Sequence, residues 1–320
     1  MASPLSPCSL TPPAAFPGRL GWLRRRPFAG LQGAALLGLA ILIWGANWPV
    51  MKAGLEHITP IWFAATRFAL GGLCLFALQL ATGSLRLPRR GDLPLVASVG
   101  LLQMLAFTVL GTLAMTEIPA GRSAVLAYTT PLWVTPAAIL LFGERFGLRQ
   151  AGGTLLGLAG VALLLNPLAL DWRDVAVLKA NLMLLAASLC WAVCILHLRR
   201  RRGASSAYHL APWQMLVATL PLLVLARVVE GPYSGDGSPA FWQVALFVGP
   251  VATAFCFCAV NAASMRLPAT AMASAMLGVP VVGLALSVLL LGEALTSALL
   301  AGVCAILGGI ALVSLPARRG

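Results

Sequence analysis

Apolar residues run along this chain in long blocks, and polar residues collect in the short gaps between them. Ten blocks approach the roughly 20 residues that a helix needs to cross about 30 Å of hydrocarbon. They fall at 29–51, 60–82, 93–115, 122–142, 148–167, 177–198, 209–229, 241–263, 269–291 and 296–316. Backbone polar groups inside lipid must be satisfied within the segment, so blocks this long and this apolar predict helices. The connections are short, which predicts a self-contained membrane unit rather than a carrier of soluble domains.

Two of the blocks repeat a pattern. "PLWVTPAAILLFGER" begins at Pro131 and "PVVGLALSVLLLGEA" at Pro280, and in each a Gly-Glu pair follows 12 residues after the proline. The same offset of 149 residues sets Pro119 on Pro268, Gly153 on Gly302 and Gly160 on Gly309. Chance matches in apolar sequence are mostly Ala and Leu, so prolines and Gly-Glu in register indicate a duplication. Each copy holds five spans, and five is odd, so the second copy is expected to enter the membrane upside down. The predicted fold is an all-α membrane protein of ten transmembrane helices arranged as two five-helix inverted-topology repeats. The repeats occupy 29–167 and 177–316, with an external linker at 168–176 and cytoplasmic tails at 1–28 and 317–320. Inverted repeats suit alternating access, in which two halves exchange shapes around a central site.

Composition agrees. Of the 320 residues, 60% are hydrophobic and 10% charged, against about 25% charged in soluble domains; the mean hydropathy is +0.91. The formal net charge of +13 does not require a nucleic-acid partner. Sixteen of the 22 basic residues fall on one set of alternate connections, among them Arg24 to Arg26, Arg89, Arg90, Arg199 to Arg202 and Arg266. An excess of this kind marks the cytoplasmic side, which predicts both termini inside. The first 28 residues, rich in proline, are read as a disordered tail. The expected partners are the lipid bilayer and a small-molecule substrate. No metal, cofactor or catalytic residue is predicted, because the seven cysteines form no Cys-x-x-Cys pair and the three histidines are scattered. No phosphate-binding Gly-rich loop occurs either, so a carrier would be a secondary one. A membrane-embedded enzyme is the alternative from another class.

The segments "WGANWPVMK" (Trp44 to Lys52), "ATRFALGGL" around Arg67, and Pro131 through Gly143-Glu144 resemble the EamA domain of the drug/metabolite transporter superfamily. The resemblance covers residues 30–315 and is clearer in the first half. It implies a ten-helix inner-membrane carrier, often an exporter of amino acids or related metabolites. It also implies a cavity walled by the first, third and fourth helices of each half, with the fifth helices packed together. The second half departs from the pattern: Trp191 stands where the first half has Trp44, but Cys194 replaces Asn47. The small multidrug members carry an acid on the first helix, and this chain has none there. A carrier of drugs or other solutes is the remaining alternative within the superfamily.

Eight residues are candidates for substrate binding: Trp44, Asn47, Trp48, Arg67, Tyr128, Thr129, Trp191 and Asn261. A charge within a span is costly in lipid, so Arg67 should face protein or water and could attract a substrate carboxylate; Lys52 could do so too, or snorkel to headgroups. Asn47 could contact substrate or bond a neighbouring helix. The tryptophans could wall a cavity or form interfacial belts. Tyr128, Thr129 and Thr130 precede Pro131, which frees the carbonyl of Ala127; their polar groups could meet substrate or repair the backbone. Glu144 and Glu293 are read as structural caps. Gly153, Gly157 and Gly160, with Ala301, Ala305 and Gly309, give small faces for contact between the fifth and tenth helices. A monomer is expected, with a dimer left open because such faces would serve either.

Overall fold

Proline and short polar side chains set where the helices begin. Pro60 and Pro239 stand in the first turns of their helices, where a missing N–H costs nothing. The Ser238 hydroxyl accepts from Phe241 N at 3.0 Å, and the Asp174 carboxylate from Val177 N at 3.1 Å, so each caps its helix. Gly143 and Gly292 end two helices at φ +65°, a left-handed conformation that glycine adopts without steric cost. Each is the glycine of a Gly-Glu pair.

The computed structural model of the protein describes residues 27–143, 147–165, 174–201, 203–267, 272 and 275–314. Among these residues the chain is helical, without strands. The helices are α1 (Pro27–Gly54), α2 (Pro60–Ala81), α3 (Arg90–Glu117), α4 (Ala120–Phe142), α5 (Leu148–Leu165), α6 (Val175–Arg200), α7 (Ala207–Val229), α8 (Pro239–Ser264), α9 (Gly278–Leu291) and α10 (Ser297–Ser314). Seven are long and apolar enough to cross a membrane: α1 from Leu31, then α2, α3, α4, α6, α7 and α8. Over its described residues α9 is shorter than a full crossing, as is the apolar part of α10, Ser297–Leu312. The tail before Pro27, Glu144, Arg145, residues 166–173 with all of the linker but 174–176, Arg202, Pro268, Ala269, Ser274 and the tail after Ser314 lie outside the described residues.

The helices bury one set of apolar side chains and present another outward. Phe63, Phe68, Leu75, Met115, Leu126, Leu184, Met215, Leu222 and Ile306 share one core. Leu80, Leu140 and Val228 are 71%, 85% and 77% exposed, an outer surface suited to lipid and not to water. The chain is a multi-pass membrane protein.

Packing partners follow a regular scheme. Helix α2 lies along α7, and α5 along α10. Helix α1 packs on α8 and α9, while α6 packs on α3 and α4. Glycine permits the closest crossings. A Cβ on Gly100 of α3 would stand 2.8 Å from the carbonyl oxygen of Gln214 on α7, and one on Gly249 of α8 would stand 3.1 Å from that of Arg67 on α2. Both glycines lie in π-helical segments, Val99–Ala106 within α3 and Phe247–Phe255 within α8.

Two acids secure helix starts from across the molecule. The Glu293 carboxylate accepts from Ala120 N and Gly121 N at 2.6 and 2.9 Å. It caps α4, a helix distant in sequence, rather than the helix that follows it. Glu230, after α7, accepts from Ile61 N at 2.8 Å, Trp62 N at 3.0 Å and the Thr59 hydroxyl at 2.5 Å. Thr59 caps no amide of α2 with its own side chain, so the distant carboxylate takes that role. Glu230→Ala is expected to cost about 1–2 kcal/mol, the range of a lost helix cap. A lower thermal midpoint in detergent, with a smaller drop for Glu230→Gln, checks this.

Candidate functional site

Between the helices lies a cavity of about 140 Å³. Its wall is drawn from α1, α2, α3, α4, α6, α7 and α8. On α1, Trp44, Asn47, Trp48 and Met51 line it, spaced three, one and three apart so that they fall on adjoining faces of one helix. Arg67 and Phe68 enter from α2, Tyr128 from α4, Trp191 from α6 and Met215 from α7. The π-helical segments bring Gln103 and Met104 from α3, and Ala252 and Thr253 from α8. Local π turns recur at functional sites because the widened turn re-aims side chains.

Arg67 carries the cavity's charge. Its Nε donates to Thr253 Oγ1 at 2.8 Å and its Nη1 to the Met51 sulfur at 3.2 Å. The guanidinium carbon lies 5.6 Å from the centre of the Phe68 ring, a cation–π distance. Among the described residues no carboxylate pairs with Arg67 and Nη2 has no hydrogen-bond partner. Thr253 is itself fixed, donating to Val248 O at 2.7 Å. Asn47 Nδ2 donates to the same Met51 sulfur at 2.8 Å, and Asn47 Oδ1 has no partner among the described residues.

Aromatic rings form much of the rest. Trp44 is anchored by its Nε1, which donates to Ala252 O at 2.7 Å. Trp191 meets Phe107 and Tyr128 edge to face, with ring centres 5.2 and 5.6 Å apart, the arrangement that ring quadrupoles favour. Among the described residues no acid lines the cavity. Among the described residues no three His, Cys, Asp or Glu side chains gather into a metal-holding cluster.

The structure brings six of the eight sequence candidates together: Trp44, Asn47, Trp48, Arg67, Tyr128 and Trp191 line this one cavity. Thr129 and Asn261 do not. Thr129 is fully buried; its hydroxyl donates to Leu126 O at 2.7 Å and lies 3.1 Å from Ser188 Oγ. Helix α4 breaks at Tyr128 and Thr129, and the Thr129 hydroxyl takes up the carbonyl of Leu126 loosened there. The Thr130 hydroxyl stands between Ser188 O on α6 at 3.2 Å and Ala127 O at 3.3 Å, so both threonines serve the backbone and the facing helix. Asn261 sits on α8, four residues past the lining residue Phe257, and its carbonyl accepts from Ser264 Oγ at 2.7 Å. Lys52 also stands aside: its Nζ donates to the carbonyls of Met115 and Ile118 at the end of α3. The wall differs from the one that the resemblance implied in that α2 and α7 contribute to it; among the described residues α9 does not. Met51, Met104, Met215 and Thr253 escaped notice because thioethers and a lone threonine do not stand out within apolar spans.

A family model described as the EamA-like transporter family matches residues 31–166 and 178–315. The chain is similar to the Bacillus subtilis protein named "uncharacterized transporter YoaV", with 26% identity over 84% of this chain and 92% of that protein. It is similar to a Salmonella typhimurium protein named "probable amino-acid metabolite efflux pump", with 26% identity over 85% of this chain and 91% of the other. A solved crystal structure aligns with a TM-score of 0.59 at 25% identity, covering 90% of this chain and 96% of that one.

Proposed function

The chain belongs to the EamA-like transporter family, and we propose that it exports amino acids or related small metabolites by alternating access through the central cavity. The observation that carries this reading is the Arg67 guanidinium, without a carboxylate partner among the described residues, in an aromatic cavity of about 140 Å³. Cavities of about 150 Å³ admit a benzene-sized molecule, so the space suits a metabolite of that order. The name of the Salmonella typhimurium relative supports the substrate class and the direction.

Ten crossings in two inverted halves are part of the proposal, with both termini cytoplasmic in a cell inner membrane. The packing scheme supports it: advancing every helix by five turns the α1–α9 contact into α6–α4 and the α3–α7 contact into α8–α2. It leaves the α2–α7 and α5–α10 pairs unchanged. The glycines at 100 and 249, each within a π-helical segment, and the helix-ending glycines at 143 and 292 keep the 149-residue offset found in the sequence.

In this mechanism a solute enters from the cytoplasm, settles against Arg67 and the aromatic wall, and leaves when the halves rock to open the outer side. Proteoliposomes preloaded with unlabelled amino acids are expected to accumulate the labelled species by counterflow. Accumulation no greater than in protein-free vesicles, across a panel of amino acids, would overturn the reading.

A further inference from the structure

Taking the cavity as the transport site, we infer that Met51 is a positioning residue that assembles a two-part clamp for an α-amino-acid head group from Asn47 and Arg67. Asn47 and Arg67 come from different helices, yet both donate to the sulfur of Met51, at 2.8 and 3.2 Å. Met51 lies one turn beyond Asn47 on α1, so the two share a face. A thioether accepts weakly and donates nothing. It therefore holds one N–H of each neighbour without using the amide oxygen of Asn47 or neutralising the charge of Arg67.

What remains is a complementary pair. Asn47 Oδ1 is an acceptor without a donor on a side chain that is only 6% exposed. Arg67 Nη2 is a charged donor without an acceptor among the described residues. A buried polar atom left unpaired is costly, so Oδ1 favours a ligand that completes it, and the Nη2 N–H groups stay open to an anionic group. An α-amino acid offers a carboxylate and an ammonium on one carbon atom, the carboxylate for Nη2 and the ammonium for Oδ1. With no acid in the wall among the described residues, an amine that lacks the carboxylate gains Asn47 Oδ1 but leaves the repulsion of Arg67 without compensation. The substrate side chain is left to the rings of Trp44, Tyr128 and Trp191.

Isothermal titration of the full chain in detergent micelles tests the clamp with two sets of probes. One set is L-leucine, 4-methylpentanoate and isopentylamine; the other is L-phenylalanine, 3-phenylpropionate and 2-phenylethylamine. Wild-type protein is expected to bind at least one amino acid about tenfold more tightly than its des-amino acid, the worth of one hydrogen bond to a charged group, and its amine more weakly than either. Asn47→Leu should remove the advantage of the amino acid and leave the affinity for the des-amino acid unchanged. Met51→Leu, close in volume, should weaken the amino acid more than either analogue. Met51→Gln, whose oxygen accepts from both donors, should restore it. The clamp is overturned if Asn47→Leu weakens acid and amino acid alike, if Met51→Leu weakens every probe equally, or if the amine binds as well as the amino acid. Head-group discrimination without counterflow would sink the transport reading and leave the clamp; counterflow without discrimination would do the reverse.

Discussion

Gly309→Ala is expected to destabilise the protein, whereas Gly308→Ala, one residue away on the same helix, is expected to be neutral or stabilising. A Cβ on Gly309 would stand 2.5 Å from both the carbonyl oxygen of Gly153 and the amide nitrogen of Gly157 on α5. These are backbone atoms of a packed helix, so the methyl can be admitted only by separating α10 from α5. Overpacking of this kind costs about 1–3 kcal/mol, more than the roughly 1 kcal/mol that alanine gains over glycine as a helix former. At Gly308 the nearest atom is Leu156 Cδ2 at 3.6 Å, an ordinary contact, and the propensity gain stands alone. Gly160 mirrors Gly309 across the contact, with Ile306 N at 2.7 Å and Gly302 O at 2.8 Å. Gly309→Val should therefore be more damaging still, losing the monodisperse peak in size-exclusion chromatography. A normal peak and an unchanged thermal midpoint for Gly309→Ala would show that the two helices do not approach this closely.

That contact was legible in the sequence because glycine and alanine at helical spacing have few uses between apolar spans. The aromatic and charged candidates were legible for a related reason. A guanidinium within α2 or an asparagine within α1 is too costly against lipid and must find protein or a cavity. Apolar wall residues give no such signal. Met51, Met104 and Met215 would read the same facing lipid, core or cavity, since hydropathy records only that they avoid water. Thr129 illustrates another limit: a hydroxyl before a proline serves a ligand or the loosened backbone equally well in the sequence. Its distance to Leu126 O decides for the backbone. The π-helical segments left no trace, because "VGLLQMLA" and "FVGPVATAF" are ordinary apolar stretches until the backbone widens. The role of Glu293 as a carboxylate cap was legible, but its target was not, since the α4 start that it caps is brought near only by packing.

Arg67→Met is expected to remove most transport while leaving the protein as stable as before, or more so. The opposite signs follow from one feature, the lack of a carboxylate partner for this guanidinium among the described residues. Burying a charge is costly, and replacing it by an apolar side chain of similar volume is often neutral or stabilising. A residue kept only for the fold would thus be dispensable here. Its bonds to Thr253 Oγ1 and the Met51 sulfur are to neutral acceptors, which offset little of that cost. If instead the charge is completed by a substrate carboxylate, its loss should weaken binding by about 1.5–3 kcal/mol, roughly tenfold to a hundredfold. Arg67→Lys should fall between, because an ammonium restores the charge but cannot hold Thr253, the sulfur and a carboxylate in one plane. Counterflow rates and thermal midpoints measured on the same preparations separate the cases. A fall in both would make Arg67 a structural residue, and unchanged transport would remove it from the site altogether.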